Sequence, residues 1–122
     1  MLTRLYSTLY FCIIGNMEIK SATAALAALA QESRLALFRL LVQQGEAGMV
    51  AGRLAEMLAL PNATLSFHLK ALVQAGLIRA RQDGRFIYYN ANFDVMNQLL
   101  AYLTENCCGG VSCASSVTTR TN

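Results

Sequence analysis

The residues best suited to chemistry are three cysteines within seven residues near the end of the chain. They are Cys107, Cys108 and Cys113, whereas Cys12 stands alone. This spacing differs from that of a secreted disulfide scaffold. Because a disulfide between adjacent cysteines closes a strained ring, we do not expect Cys107 and Cys108 to pair with each other. The cluster is typical of a ligand site or a redox site in a reducing cytoplasm.

No other set of residues has the spacing of a catalytic site. The sequence shows no nucleophile–base pair, no paired carboxylates and no phosphate-binding loop, and His68 is its only histidine. His68 falls at the edge of an apolar helix face, between Leu65 and Leu72, which favours a hydrogen-bonded structural role over a ligand role. The sequence therefore predicts that the protein is not an enzyme.

The composition indicates one small domain whose positive charge is concentrated in its central segment. The chain has 122 residues, 55% of them hydrophobic and 14% charged, and a net charge of +3. That length supports one core, and so little charge suggests that part of the surface is buried in a homodimer. Between residues 62 and 90 the charged residues are Lys70, Arg79, Arg81 and Arg85, against Asp83 alone. No apolar run has membrane-spanning length, so we expect no membrane partner.

The segment from Pro61 to Leu77 predicts a short amphipathic helix. Its inward face consists of Leu65, Leu69, Leu72 and Val73, at helical spacing. Its opposite face carries no acidic residue and consists of Ala63, Thr64, Ser66, Phe67, Lys70 and Gln74. A helix of this kind can enter the major groove of DNA. An ordinary surface helix is the alternative.

Three helices are predicted before this one. The first covers about residues 21–30, with Ala22, Leu26 and Leu29 on one stripe. The second runs from a Ser33 cap to Gly45, with Leu37, Leu40 and Leu41 inward. A very short strand is expected at Met49 and Val50, and a third helix at about residues 52–58. A turn of residues 59–61 then completes a helix-turn-helix.

A basic hairpin is predicted after the helix-turn-helix. LIRARQ and RFIYYN have the residue types of strands, and Asp83-Gly84 between them indicates a two-residue type I′ turn, which requires positive φ at both positions. Arg79 and Arg81 alternate along the first strand, and Arg85 begins the second. The predicted fold is mainly α-helical with a small β-hairpin: a winged helix-turn-helix.

The last helix is expected from Phe93 to Glu105, with Asn92 as its cap. Its heptad-like seam consists of Phe93, Met96, Leu100 and Leu103, broadened by Leu99 and Tyr102. The seam could cover the domain's own core, but the low charge of the surface favours a contact between two protomers.

The sequence divides into three parts. Residues 1–16 are interpreted as an extension upstream of a true start at Met17, with a membrane or dimer-packing arm as the alternative. Residues 17–106 form the winged-helix DNA-binding and dimerisation domain. Residues 107–122 form a cysteine-containing tail that we expect to be mobile.

The sequence resembles the ArsR/SmtB family of bacterial metal-sensing repressors over about residues 18–106. The resemblance is carried by ALAQESRLALFRLL, LSFHLKALVQAGLI and the DGRFIYY hairpin. Its most specific part is Ser66-Phe67-His68-Leu69, Leu72 and Ala75-Gly76-Leu77. The resemblance implies a homodimer that binds an inverted-repeat operator in double-stranded DNA and releases it when a metal or metalloid binds.

The expected DNA contacts lie on the Pro61–Leu77 helix and on the hairpin, or wing. We expect base contacts from Thr64, Ser66 and Phe67, phosphate contacts from Asn62 and Lys70, and wing contacts from Arg79, Arg81 and Arg85, the last at the minor groove. The sequence departs from the family where small polar residues often begin this helix, because Pro61 and Ala63 stand there.

The sensing site is expected at the C-terminal cysteines. The family's Cys-Val-Cys box on the third helix is replaced by Val50-Ala51-Gly52-Arg53, and the last helix lacks a histidine ligand. Cys107, Cys108 and Cys113 resemble the arsenic-responsive branch of the family. Three thiolates suit As(III) or Sb(III), whereas zinc or cadmium normally takes a fourth ligand. The alternatives are a thiol-redox repressor that uses the same cysteines and an adaptor that binds a protein.

Overall fold

The computed structural model describes residues 17–110, which form five α-helices and a three-stranded antiparallel sheet. The helices are α1 (Ile19–Leu29), α2 (Glu32–Gln44), α3 (Ala51–Leu58), α4 (Asn62–Gln74) and α5 (Phe93–Leu103). The strands are β1 (Met49–Val50), β2 (Ile78–Asp83) and β3 (Phe86–Ala91), in the order β1-β3-β2, and 3₁₀ turns cover Gly45–Ala47 and Cys107–Gly110. The predicted winged helix-turn-helix is confirmed. Within the described range, no helix is long and apolar enough to span a membrane.

The core lies between α2, α3, α4 and the start of β2. Its fully buried large side chains are Leu37, Leu41, Leu54, Leu65, Leu72, Leu77 and Ile78. The predicted inward faces of α2 and α4 are therefore largely correct. Val73 is an exception, because 39% of its surface remains exposed. At 100° per residue it lies about 80° round the helix from Leu65 and so falls at the edge of the buried face.

Helix α1 packs mainly through alanines, and of the predicted stripe of Ala22, Leu26 and Leu29 only Leu26 faces outward. Its buried residues are Ala22, Ala25 and Ala28, whereas Leu26 is exposed and Leu29 is half-buried. Small side chains let the α1 backbone approach its neighbours closely. The leucine side chain at position 26 is consequently left on the outer surface of the protomer.

Two helix ends differ from the sequence prediction. Helix α2 begins at Glu32, and its cap is Gln31, whose Oε1 accepts a hydrogen bond from the Arg34 backbone N–H at 2.9 Å. Ser33 is therefore not the cap. Helix α5 ends at Leu103, two residues earlier than expected, and the Thr104 hydroxyl donates to the Leu100 carbonyl at 2.9 Å. The predicted Asn92 cap is confirmed, since its Oδ1 accepts from the Val95 N–H at 3.4 Å.

The wing turn is shifted by one residue from its predicted position. Asp83 pairs with Phe86, so the two loop residues are Gly84 and Arg85 and not Asp83 and Gly84. Gly84 has a φ of 64°, while Arg85 is not among the residues with positive φ. This pattern excludes the predicted type I′ turn and fits a turn with glycine at its first loop position, as in type II′. Arg85 therefore lies at the tip of the wing and does not begin β3.

The predicted seam of α5 is divided between the core and the surface. Phe93, Met96 and Tyr102 are partly buried against the core, and Leu99 is buried. Leu100 and Leu103, in contrast, are more than half exposed. Helix α5 thus covers its own core with one side and presents leucines outward with the other.

Candidate DNA interface and cysteine segment

The helix-turn-helix is built from α3, the turn Ala59-Leu60-Pro61 and α4. Ala59 adopts the left-handed conformation with a φ of 52°, and the Leu60 N–H returns to the Ala55 carbonyl at 3.0 Å, which ends α3. Pro61 then precedes the first residue of α4, where its fixed φ is compatible with helix entry. This local chemistry sets the sharp change of direction between the two helices.

The five residues of α4 predicted to contact DNA lie on its exposed side. They are Asn62, Thr64, Ser66, Phe67 and Lys70. Within residues 17–110, none of the polar side chains in this set makes a hydrogen bond or a salt bridge, and Lys70 has no acidic partner. The buried side of α4 consists of Leu65, His68, Leu69 and Leu72. The polar groups of the exposed side are consequently available to a ligand without breaking any internal contact.

His68 holds α4 against the preceding helices. It is buried, and its Nδ1 lies 3.4 Å from an Arg34 guanidinium nitrogen. The Nε of Arg34 donates to the Ala28 carbonyl at the end of α1, at 2.6 Å. Burial first, and the Arg34 charge second, lower the pKa of His68 from 6.5. The predicted structural role of His68 is confirmed, but the sequence analysis missed Arg34, because 34 residues separate the two.

The three wing arginines differ in their internal contacts. Arg79 donates to Asn92 Oδ1 at 3.1 Å and lies 3.6 Å from the Asp94 carboxylate. Arg81 donates to the Ala47 carbonyl at 3.3 Å and also pairs with Asp83 at 3.7 Å. These contacts are solvent-exposed and therefore weak. Arg85 makes no ion pair or hydrogen bond within the described range.

Asn92 connects α4, the wing and α5. Its Nδ2 donates to the Gly76 carbonyl just after α4 at 3.1 Å, while its Oδ1 accepts from Arg79 and from the first turn of α5. The Asn92 N–H also donates to the Leu77 carbonyl at 2.8 Å. Of these contacts, only the cap was predicted from the sequence. The additional bonds fix the end of α4 and the wing to the beginning of the last helix.

The cysteine segment directly follows α5. Cys107 is an exposed free thiol whose Sγ lies 3.6 Å from that of Cys108, and Cys108 is disulfide-bonded. Cys108 and Gly109 have positive φ values of 57° and 66°, which turn the chain sharply. Cys113 and Cys12 lie outside the described residues. Within residues 17–110 no three His, Cys, Asp or Glu side chains form a metal-binding group.

The comparisons with known proteins identify the family. A helix-turn-helix domain model matches residues 29–81. The chain is 36% identical over 81 residues to the arsenical resistance operon repressor of Bacillus subtilis, and the match covers 66% of this chain and 73% of that protein. The chain belongs to the ArsR family. Members of this family are DNA-binding transcriptional regulators, so this chain is a regulator and not an enzyme.

Solved structures of ArsR-family regulators share the fold. An ArsR-like transcriptional regulator from Rhodococcus has a TM-score of 0.66 at 25% identity, over 82% of this chain and 92% of that one. The homodimeric winged helix-turn-helix DNA-binding domain from Mycobacterium bovis has a TM-score of 0.60 at 28% identity, over 70% of this chain and 78% of that one. The α4 surface described above therefore belongs to the second helix of an ArsR-family winged helix-turn-helix.

Proposed function

We propose that this ArsR-family protein is a cytoplasmic repressor that leaves its operator when As(III) or Sb(III) binds. The observation that carries the proposal is the pair of neighbouring sulfurs, Cys107 and Cys108, placed directly after the last helix of the winged helix-turn-helix. The similarity to an arsenical resistance operon repressor supports the same inducer class. No familiar alternative ligand set is present at the start of α3, where Val50-Ala51-Gly52-Arg53 stands.

The inducer would be held by Cys107, Cys108 and Cys113. Trivalent arsenic and antimony take three sulfur ligands in a pyramid, and soft thiolates suit them. Two sulfurs 3.6 Å apart are close enough to bind one ion together. The disulfide at Cys108 must be reduced before that sulfur can act as a ligand. Gly109, with its positive φ, lets the chain turn back after the first two ligands.

Operator binding would use two copies of α4 and two wings. Exposed leucines on α5, Leu100 and Leu103, and the exposed Ile19 and Leu26 on α1 provide apolar surfaces for a homodimer. A two-fold dimer places its recognition helices about 34 Å apart, one turn of DNA, and so reads an inverted repeat. The uncharged and basic surface of α4 suits the major groove. Arg85, which has no hydrogen bond or ion pair within residues 17–110, suits the phosphates or the minor groove beside it.

Release would follow from a population shift between two arrangements of the dimer. Metalloid binding draws in the segment after α5, and α5 is tied to α4 and the wing through Asn92. A change at the end of α5 can therefore alter the spacing of the two recognition helices. Differential affinity of a few kcal/mol between the two arrangements is enough to empty the operator.

The decisive experiment is a gel shift on the DNA upstream of the protein's own gene, under reducing conditions. We expect a retarded band without metalloid and its loss at micromolar arsenite or antimonite. Zinc at the same concentration serves as the control and should leave the band in place. Retention of the band with arsenite would contradict metalloid sensing, and absence of the band throughout would contradict operator binding at this site.

A thiol-redox repressor is the second candidate, and the disulfide at Cys108 favours it. In a redox repressor, formation of a disulfide, and not binding of a metalloid, would change the conformation of the segment after α5. Gel shifts in diamide and in arsenite with reductant separate the two candidates. Release only in diamide indicates redox sensing, and release only in arsenite with reductant indicates metalloid sensing.

A further inference from the structure

The outer end of the wing carries two large apolar side chains that lie outside the hydrophobic core of residues 17–110. Every residue from Arg79 to Ile87 is exposed. Phe86 is 58% exposed and Ile87 46% exposed, and they follow directly after the tip residue Arg85. The core does not require these two adjacent apolar residues at the end of a projecting hairpin. They are therefore available to contact a binding partner.

The strand register places the two residues on opposite faces of the hairpin. Directly paired residues share a face, so Phe86 lies with Asp83, and two residues further along lie the paired Arg81 and Tyr88. The Arg81 guanidinium lies 4.9 Å from the centre of the Tyr88 ring and also pairs with Asp83. Arg81 thus contacts both of the other neighbours, Asp83 and Tyr88. The Phe86 ring makes no aromatic or cation–π contact among the described residues.

The tip therefore presents the largely exposed Phe86 ring next to the Arg85 guanidinium, which makes no hydrogen bond or ion pair among the described residues. Asp83, the one acidic residue in β2, β3 and the turn between them, pairs with Arg81. A positive charge beside an exposed aromatic ring complements a polyanion whose groove has apolar walls. The minor groove of DNA has this character, with phosphates at its rims and sugar carbons along its walls.

We propose that Phe86 enters the DNA minor groove next to the segment read by α4 and packs against the sugars or the edge of a base step. The proposal rests on the DNA-binding function and adds an apolar contact to it. Strand β2 begins four residues after α4 ends, so the wing continues the DNA-reading surface. Arg85 would hold the phosphates while the ring is buried.

Such a contact changes what the protein can distinguish. A ring at a base step favours sequences that unstack or widen easily, and pyrimidine–purine steps do so most readily. The wing would then select flanking sequence without hydrogen bonds to bases. Its contribution would also be independent of salt, because no counterion is released when an uncharged ring is buried.

The experiment compares Phe86→Ala, Phe86→Leu and Ile87→Ala in the full-length protein on operator DNA over a range of salt. We expect Phe86→Ala to weaken binding about tenfold for each wing, which corresponds to about 1.4 kcal/mol. The slope of log affinity against log salt should stay that of the wild type. Phe86→Leu, which keeps apolar volume, should recover part of the loss. Ile87→Ala removes a similar apolar group from the other face and should have a smaller effect.

A second readout reports the position of the ring directly. With 2-aminopurine at the flanking pyrimidine–purine step, wild-type binding should raise the fluorescence and Phe86→Ala should not. The proposal is overturned if Phe86→Ala binds as the wild type does, if Ile87→Ala loses as much affinity, or if Phe86→Ala instead dissociates a dimer. Failure of the wild type to bind the operator would count against the proposed function and not against this contact alone.

Discussion

At the scale of single residues, the contact between the half-buried Arg34 and the buried His68 shows how α4 is positioned against the preceding helices. Arg34 joins the last turn of α1 to α4 through one guanidinium group. The guanidinium donates, so the facing Nδ1 of His68 must be the unprotonated nitrogen. Protonation of His68 would remove this acceptor and place two positive charges 3.4 Å apart.

This pair predicts a loss of stability in mild acid. The pKa of His68 is lowered in the folded protein, so the unfolded chain takes up the proton first. The contribution of neutral His68 to the free energy of unfolding is fully present above pH 6.5. It declines as the pH falls through 6.5 towards the lower pKa of the folded state. Urea unfolding at pH 7.5 and 5.5 should show this decline in the wild type. A His68→Gln variant should show less of it, and equal declines in both proteins would contradict the assignment.

Lys70 provides a residue-scale test of the DNA surface. Because it is exposed and has no acidic partner in the part of the chain that the structure describes, its charge should neutralise a phosphate when α4 enters the groove. Lys70→Ala should weaken binding to all sequences and reduce the salt slope by roughly one unit for each protomer. Lys20→Ala, which removes an exposed charge from α1, is the matched control. An unchanged slope for Lys70→Ala would show that the phosphate contact lies elsewhere.

At the scale of secondary structure, the sequence predicts elements better than it predicts their exact pairing. The leucine spacing identified the buried sides of α2 and α4, since burial follows the helical period. The wing turn was misplaced by one residue because a single glycine can serve at either loop position. Its register is decided by the burial of Ile78 and Ala91, which pair across the sheet. In the alanine-rich α1, hydrophobicity varies too little round the helix for the sequence to show which side is buried.

In the candidate site, too, features set by neighbouring residues could be predicted from the sequence, whereas contacts between residues far apart in the chain could not. The exposed polar side of α4 could be predicted, because it is the complement of the leucine face. The partners of Arg34 and Asn92 could not, since those contacts join residues 34 and 16 positions apart. The seam of α5 was also assigned as one surface, whereas Phe93 and Met96 belong to the protomer core.

Gly45 and Gly48, which lie just before β1, should respond unequally to replacement by alanine. Gly45 and Gly48 have nearly the same backbone conformation, with φ near 70° and ψ of −152° and −166°, a region essentially restricted to glycine. A Cβ on Gly48 would collide with the Tyr89 carbonyl oxygen, whereas a Cβ on Gly45 would meet no atom within 4 Å. Alanine at either position should cost about 1–3 kcal/mol of unfolding free energy. Gly48→Ala should cost more than Gly45→Ala, and the reverse order in urea unfolding would contradict the structure.

At the scale of the whole molecule, the exposed side of α5 predicts how the protein assembles. Leu100 is 55% exposed in the protomer, and we expect it to be buried in the homodimer. Leu100→Asp should therefore dissociate the dimer, since an unpaired charge in an apolar interface costs several kcal/mol. DNA affinity should fall with it, because a monomer makes only half of the contacts. Sedimentation measures the change, with Met57→Asp, 50% exposed on α3, as the control. A stable Leu100→Asp dimer would exclude this surface.

The last prediction separates DNA binding from sensing within the same molecule. Cys107 and Cys108 follow α5 in the chain and are not part of α4. Single replacements Cys107→Ser or Cys108→Ser substitute a hard hydroxyl for a soft thiolate and leave the metalloid two sulfurs. Both variants should keep the operator affinity of the reduced wild type and lose its release by arsenite. Cys113→Ser should lose less, because a thiol from solution can replace the ligand farthest along the segment.

Cys12→Ser is the matched control and should behave as the wild type in both assays. The double variant Cys107→Ser/Cys108→Ser gives the sharpest result, because one sulfur of the proposed three remains. If it still leaves the operator on addition of arsenite, the inducer binds elsewhere. If it instead fails to bind DNA under reducing conditions, the segment after α5 supports the DNA-binding conformation itself, and sensing and binding are not separable in this protein.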